Sequence, residues 1–197
     1  MRISKSLLNA VTAVREYYVS RFQQELDEYI QDKKYNVYSE AALRDSEGEI
    51  ALADGVLPTP SRADFFLFPK RKGDPFRVTI DTENQVDLKP VKTLWQDGSA
   101  RVTIRSFQWN AAVIKFPFKE RAMSDWDPLR KWFMHWFKED DPEPGELLGA
   151  VHFVSDPECI EGVVDILVDF GTAPVESFFE LLDALVALGA ETIDVGD

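Results

Sequence analysis

The stretch VVDILVDFGTAPVESFFELLDALVALGAETIDV, residues 163–195, carries the clearest secondary-structure pattern in the chain. Its first eight residues alternate between two faces, of which one is wholly apolar and the other carries Asp165 and Asp169. Alternation with a period of two is typical of a strand that buries one face. The sequence therefore predicts a half-buried strand at this point.

A turn and a helix are predicted to follow this strand. In the segment GTAP, residues 171–174, the missing N–H of proline costs nothing in a first helical turn, and the Thr172 hydroxyl can accept from a free helix amide. Apolar residues then recur at three- and four-residue spacing up to Leu188, and Gly189 suits a left-handed C-terminal cap. Residues 192–195 predict a short strand that returns beside the first one as a right-handed crossover.

Two further helices are predicted upstream. Apolar residues step by three or four along residues 4–31, which predicts a long amphipathic helix. Near residue 127 an N-cap aspartate and a first-turn proline precede five apolar residues, four of them aromatic, at helical spacing. This pattern predicts a second helix with an aromatic face.

Short β-prone runs separated by turn residues fill the chain between these helices. The candidate strands are residues 35–44, 49–53, 63–68, 76–81, 92–96 and 101–116. The predicted fold class is therefore α+β, with an antiparallel β-sheet body, a long N-terminal helix, an aromatic second helix and a C-terminal β-α-β unit. We predict one domain over residues 1–197. The alternative is two sub-lobes, 1–140 and 141–197, because the charged linker KEDDPEPG (residues 138–145) is broken by prolines.

The composition is that of a globular protein. Of the 197 residues 45% are hydrophobic, and 14 Phe and 5 Trp supply enough apolar surface for a well-buried core. The lone Cys159 has no cysteine to pair with in its own chain, which suits a reducing compartment. No stretch of 18 apolar residues without charge occurs. We therefore predict a cytoplasmic protein with no membrane association and no cofactor.

The net charge of −13 is unevenly distributed. Residues 1–122 carry 19 Lys and Arg against 17 Asp and Glu, whereas residues 123–197 carry 3 against 18. Such an acidic field repels nucleic acid and attracts cationic partners. The most exposed candidates for partner binding are four linker carboxylates, Glu139, Asp140, Asp141 and Glu143. The alternative is that these carboxylates only solubilise the linker.

Side chains that could support chemistry are few. No catalytic motif is present, and we assign no catalytic residue. Pairing of residues 147–154 with the strand that begins at Val163 would place His152 on one face with Asp165 and Asp169, a set able to bind a divalent cation. Because these residues have no motif spacing, the alternative is a polar outer face of a half-buried sheet.

The segment from Asp169 to Val195, DFGTAPVESFFELLDALVALGAETIDV, resembles the C-terminal strand-helix-strand of bacterial immunity proteins that neutralise secreted toxins. The resemblance implies a cytoplasmic antitoxin without catalysis, which occludes a cognate effector. The acidic charge is consistent with a basic toxin as the partner. Two alternatives remain open at this point: a small enzyme or metal-binding protein with a site near His152, and a homodimeric interaction scaffold. The sequence does not choose between a monomer and a homodimer.

Overall fold

The structure, a computed structural model, describes residues 3–80, 86–95, 98–117, 125–140, 142–143 and 146–196. Within these residues the helices are α1 (Lys5–Gln31), α2 (Asp127–Phe137) and α3 (Val175–Ala187). The strands are β1 (Tyr35–Ser39), β2 (Phe65–Pro69), β3 (Phe76–Val78), β4 (Val91–Trp95), β5 (Ala100–Ile104), β6 (Ala112–Pro117), β7 (Phe153–Val154), β8 (Glu158–Ile160), β9 (Val163–Asp169) and β10 (Thr192–Val195). The α+β fold class predicted from the sequence is confirmed.

Helix α1 forms as its apolar spacing predicts. The Ser4 hydroxyl caps its N-terminus by accepting from the amide of Leu7, at 3.2 Å. One face of α1 is buried along its length, through Leu7, Val11, Val14, Tyr18, Phe22 and Leu26. Arg15 follows the buried Val14 in α1. Its guanidinium donates to the backbone carbonyls of Ala173, at 2.6 Å, and Thr172, at 3.0 Å. These bonds hold the middle of α1 against the turn that precedes α3.

Helices α2 and α3 pack against each other through aromatic side chains. The Trp132 indole N–H donates to the carbonyl of Ser177 at 2.8 Å, and its ring meets that of Phe170 edge-on at 6.1 Å.

The prediction that Thr172 caps α3 is wrong. Pro174 occupies the N-cap position without a side-chain hydrogen bond, because the Thr172 hydroxyl is bonded elsewhere.

The larger sheet has the strand order β4-β5-β10-β6-β9-β7, with β8 also paired to β9. The predicted strand-helix-strand β9-α3-β10 is present, but β10 does not lie beside β9. Strand β6 lies between them, antiparallel to both, and β10 pairs in parallel with β5. The prediction that β10 lies directly beside β9 is therefore wrong, although the two strands do run parallel to each other.

The smaller sheet is antiparallel, in the order β1-β2-β3. The segment 40–64 that connects its first two strands makes only isolated bridges, Ala42–Arg62, Arg44–Ile50 and Leu52–Pro60, so the strand predicted at 49–53 does not form. The strand predicted over 101–116 is also interrupted. Residues 105–111 leave the sheet between β5 and β6, and they bury the rings of Phe107 and Trp109.

One cluster of buried apolar side chains extends from Leu7 in α1 to Val195 in β10. It includes residues on both sides of the proline-broken linker, such as Phe133 of α2 and Phe178 of α3. The core thus joins all three helices to the larger sheet. None of the helices in the described part of the chain combines the length and the apolar character that crossing a membrane requires.

Candidate functional site

A buried histidine is the centre of the candidate site. His152 immediately precedes β7, and its backbone N–H donates to the carbonyl of Asp169 at 2.9 Å. Its side chain is 0% exposed. The ring nitrogen Nε2 lies 2.8 Å from Oε1 of Glu40, and Nδ1 lies 3.0 Å from Oδ1 of Asp64. One imidazole therefore joins two carboxylates in the interior of the protein.

The pairing of the smaller sheet places these two carboxylates side by side. Glu40 follows β1 and Asp64 precedes β2, and the amide of Glu40 donates to the carbonyl of Asp64 at 2.9 Å. Glu40 has a left-handed backbone, with φ of 50°. The buried guanidinium of Arg62 supports this turn by donating to the backbone carbonyls of Glu40 and, at 2.9 Å, of Phe137.

Each carboxylate has additional hydrogen-bond donors. Glu40 accepts from the Thr172 hydroxyl, at 2.6 Å, and from the amide of Leu148. Asp64 accepts from the Tyr18 hydroxyl at 3.1 Å. Its second oxygen accepts from the amide of Ile80 at 2.8 Å. The cluster thus connects helix α1, the smaller sheet and the turn before α3.

Asp169, the last residue of β9, completes the cluster. Its Oδ1 accepts from the amide of Gly171 at 2.8 Å, and its Oδ2 lies 3.8 Å from Nδ1 of His152, beyond hydrogen-bonding distance. The side chain is 20% exposed, compared with 0% for Glu40 and 3% for Asp64. Gly171 allows this close packing, because a Cβ atom there would overlap the ring of His152 and its φ is +50°.

Burial and mutual charge determine the protonation of the cluster. Burial opposes the charged form of His152. The negative charge of Asp169, the hydrogen bonds to Asp64 and Glu40 and the charge of Glu40 outweigh burial and raise the pKa to about 10. His152 is therefore an imidazolium at neutral pH, with both ring nitrogens donating. Burial also opposes ionisation of Glu40 and Asp64, yet their hydrogen bonds with His152 and other donors lower the pKa of each carboxyl.

The pKa of Asp169 shifts in the opposite direction to those of Glu40 and Asp64. Burial is the largest cause, the charge of His152 opposes it, and the charges of Asp64 and Glu40 add to it, so that the pKa of Asp169 rises to about 7. Tyr18 also keeps its proton, since burial and the neighbouring carboxylates raise its pKa well above the usual value. The cluster contains more carboxylates than its single imidazolium can neutralise.

The structure separates the residues that the sequence grouped as metal ligands. His152 and Asp169 lie together in the cluster. Asp165 does not: its Oδ2 lies 3.8 Å from Nζ of Lys115, and Glu158 is its neighbour on the adjacent strand β8. Asp165 and Asp169 are four residues apart on β9, and only Asp169, at the end of the strand, reaches His152.

Sequence reasoning missed Glu40, Asp64, Tyr18 and Thr172. A weak signal was present, because Glu40 and Asp64 are single carboxylates in otherwise apolar runs, EAAL and ADFFLF. Their partner His152 lies 112 and 88 residues away. No spacing pattern connects residues at that separation.

The predicted partner-binding residues lie on the surface wherever they are described. Glu139, Asp140 and Glu143 are exposed, and Asp141 falls outside the described residues. The backbone carbonyl of Asp140 accepts from Nη2 of Arg62 at 3.0 Å, which ties the start of the linker to the protein.

The outer face of the smaller sheet exposes aromatic rings. Tyr38 is 49% exposed and Phe68 is 41% exposed, and their rings lie 5.3 Å apart. The half-buried Phe66 is opposite Tyr38 on one side and the exposed Arg77 on the other. We call Tyr38, Phe66 and Phe68 the aromatic face.

Comparisons of the chain with protein-family models, with curated proteins and with solved structures found no match. Two features therefore remain as the basis for function: the buried cluster around His152 and the aromatic face.

Proposed function

We propose that this protein is a non-catalytic binding protein of the immunity type, which occludes a cognate protein effector. The observation that carries this proposal is the aromatic face, because exposed aromatic clusters are the usual anchors of protein interfaces. By the usual surface of an aromatic side chain, three partly exposed rings present on the order of 300 Å² to a partner. The largest apolar patch on a typical monomer is of about that size and is often functional.

The aromatic face lies between two oppositely charged ends. Beyond the Tyr35 end of β1 and the Pro69 end of β2 lie the exposed Lys70, Arg71 and Lys72. At the other end the Ser39 hydroxyl donates to the carbonyl of Glu146, at 3.2 Å, directly after the acidic linker. Four residue steps along β1 separate these ends by about 13 Å.

This arrangement suggests how a basic effector would bind. Its cationic surface would face the acidic linker, and apolar side chains next to that surface would contact the aromatic face. Charge complementarity would speed association and orient the effector, while the rings supply most of the binding energy. The basic residues beyond Pro69 would contact an acidic part of the same partner.

The burial of the His152 cluster favours binding over catalysis. In the part of the chain that the structure describes, every buried side-chain nitrogen and oxygen has a hydrogen-bond partner. Glu40, Asp64 and His152 hold one another and the surrounding backbone. Such a satisfied network suits a structural role more than a substrate site, which needs polar groups that face an open cleft.

The test uses the protein encoded by the gene adjacent to that of this chain. The purified pair is expected to form a complex in isothermal titration calorimetry, and this chain is expected to protect cells that produce the neighbour. Phe68→Ser should weaken binding about 30-fold or more, the effect of losing an interface anchor. Leu94→Ser is the matched control, since Leu94 is 66% exposed on the larger sheet.

Absence of binding by the unmodified chain would overturn the proposal, and equal loss with both variants would remove the aromatic face from the interface. Light scattering after size-exclusion chromatography tests the scaffold alternative. We expect a monomer. A dimer that Phe68→Ser dissociates would identify a second copy of the chain as the occupant of the aromatic face.

A further inference from the structure

Three side chains of the buried cluster present ligand atoms to a common point. One carboxylate oxygen of Asp64, one ring nitrogen of His152 and one carboxylate oxygen of Asp169 all lie within 4.8 Å of one another. The two carboxylate oxygens approach the same ring nitrogen, at 3.0 Å and 3.8 Å. We propose that Asp64, His152 and Asp169 bind a divalent first-row transition-metal ion.

The spacing of these atoms fits a coordination sphere. Nitrogen and oxygen ligands lie about 2.0–2.2 Å from Zn²⁺, which places neighbouring ligands roughly 3–3.6 Å apart in tetrahedral or octahedral geometry. The Asp64–His152 separation of 3.0 Å lies at the lower end of that range, and the Asp169–His152 separation of 3.8 Å lies slightly above it. Binding of one ion would require Asp169 to move towards His152 and the two carboxylate oxygens to approach each other from a separation of up to 4.8 Å.

The outer shell has the arrangement typical of metal centres. A metal-bound histidine normally donates its other ring N–H to a carboxylate, which fixes the orientation of the ring. Here Nε2 of His152 lies 2.8 Å from Glu40, and Glu40 is itself held by Thr172 and by the amide of Leu148. The carboxylates of Asp64 and Asp169 also accept from fixed backbone donors.

The charge of the cluster also favours a cation. When Asp169 is ionised, three carboxylates surround one imidazolium, so the cluster then carries excess negative charge that a divalent ion would reduce. Binding at Nδ1 displaces the proton on that nitrogen to solvent. One imidazole and two carboxylates suit Mn²⁺, Fe²⁺ or Zn²⁺ better than Mg²⁺ or Ca²⁺, which prefer oxygen alone. Of the three ligands, Asp169 is the one with the largest exposed fraction, 20%.

The experiment uses the full chain, free of any purification tag and stripped with EDTA. Titration with Mn²⁺ or Zn²⁺ in a calorimeter, with metal content measured by plasma mass spectrometry, should give one bound ion per chain and a higher melting temperature. Mg²⁺ at the same concentration should give neither. Glu40→Gln, which alters the partner of Nε2, should weaken binding about 10- to 100-fold.

Asp169→Asn and Asp165→Asn form a matched pair, because both remove one carboxylate charge from β9. Asp169→Asn keeps an oxygen for the amide of Gly171 and should abolish stoichiometric binding, whereas Asp165→Asn should bind as the unmodified chain does. Circular dichroism of the metal-free proteins checks that each is folded. Less than a tenth of an equivalent bound by the unmodified chain, or equal loss in the two variants, would overturn the proposal.

Discussion

Replacing the buried histidine tests the electrostatic account of the cluster most directly. His152→Leu removes both donors while roughly keeping the volume of the side chain, so Glu40 and Asp64 would be left as buried carboxylates without their cation. The rise in the pKa of His152 from 6.5 to about 10 corresponds to about 5 kcal/mol of preference for the charged form in the folded protein. Breaking a buried ion pair from one side costs about 3–5 kcal/mol. We therefore expect the free energy of unfolding to fall by about 3–5 kcal/mol.

The loss of stability in His152→Leu should depend on pH. A histidine whose pKa is raised on folding contributes stability that is complete below its unfolded pKa of about 6.5. That contribution shrinks as the pH rises and is lost near the folded pKa of about 10. The deficit of His152→Leu should therefore be large at pH 6 and much smaller at pH 10.

Urea denaturation followed by circular dichroism, in EDTA, measures both values. The matched control is His135→Leu, because His135 is exposed on α2 and its loss should change stability by less than about 0.5 kcal/mol. A deficit below about 1 kcal/mol at pH 6, or an equal deficit at the two pH values, would refute the ion-pair account of His152.

Two further predictions concern the core and the acidic linker. Trp132→Ala should lower the free energy of unfolding by about 3–5 kcal/mol, because a ring that is only 5% exposed leaves a cavity and the carbonyl of Ser177 loses its donor; a loss below about 1 kcal/mol in urea denaturation would contradict this. Neutralising the four carboxylates of the linker to Asn or Gln should slow association with a cationic effector at low salt and flatten the dependence of that rate on ionic strength, as measured by stopped-flow fluorescence. An unchanged rate with an unchanged salt slope would remove the linker from the interface.

The local elements were predictable because their signals are local. Helix α1 begins after Ser4 and ends at Gln31 as predicted, since capping and apolar spacing act within one helix. The strand β9 and the helix α3 were predictable for the same reason. Where a segment lacks a regular period, as between residues 105 and 111, the buried rings of Phe107 and Trp109 interrupt the strand that β-propensity alone predicted.

The order of strands was beyond prediction because pairing depends on the whole sheet. The chain from β9 through α3 to β10 is compatible with direct pairing of the two strands, yet β6 separates them. The apolar faces of β6, β9 and β10 all contribute to the same core. Alternation therefore predicts which face of each strand is buried, but not which strand it pairs with. Only the assembled sheet decides which strands are adjacent.

Local sequence patterns were enough to predict the α+β class and the three helices, and the charge asymmetry follows from the composition. Which polar residues meet depends on how distant segments pack. Asp165 and Asp169 look equivalent in sequence, but only Asp169 reaches His152. Glu40 and Asp64 join the same histidine from 112 and 88 residues away. The physical reason is that periodicity assigns each side chain to a face of its own element, whereas a buried polar cluster requires the meeting of several elements whose sequences are unrelated.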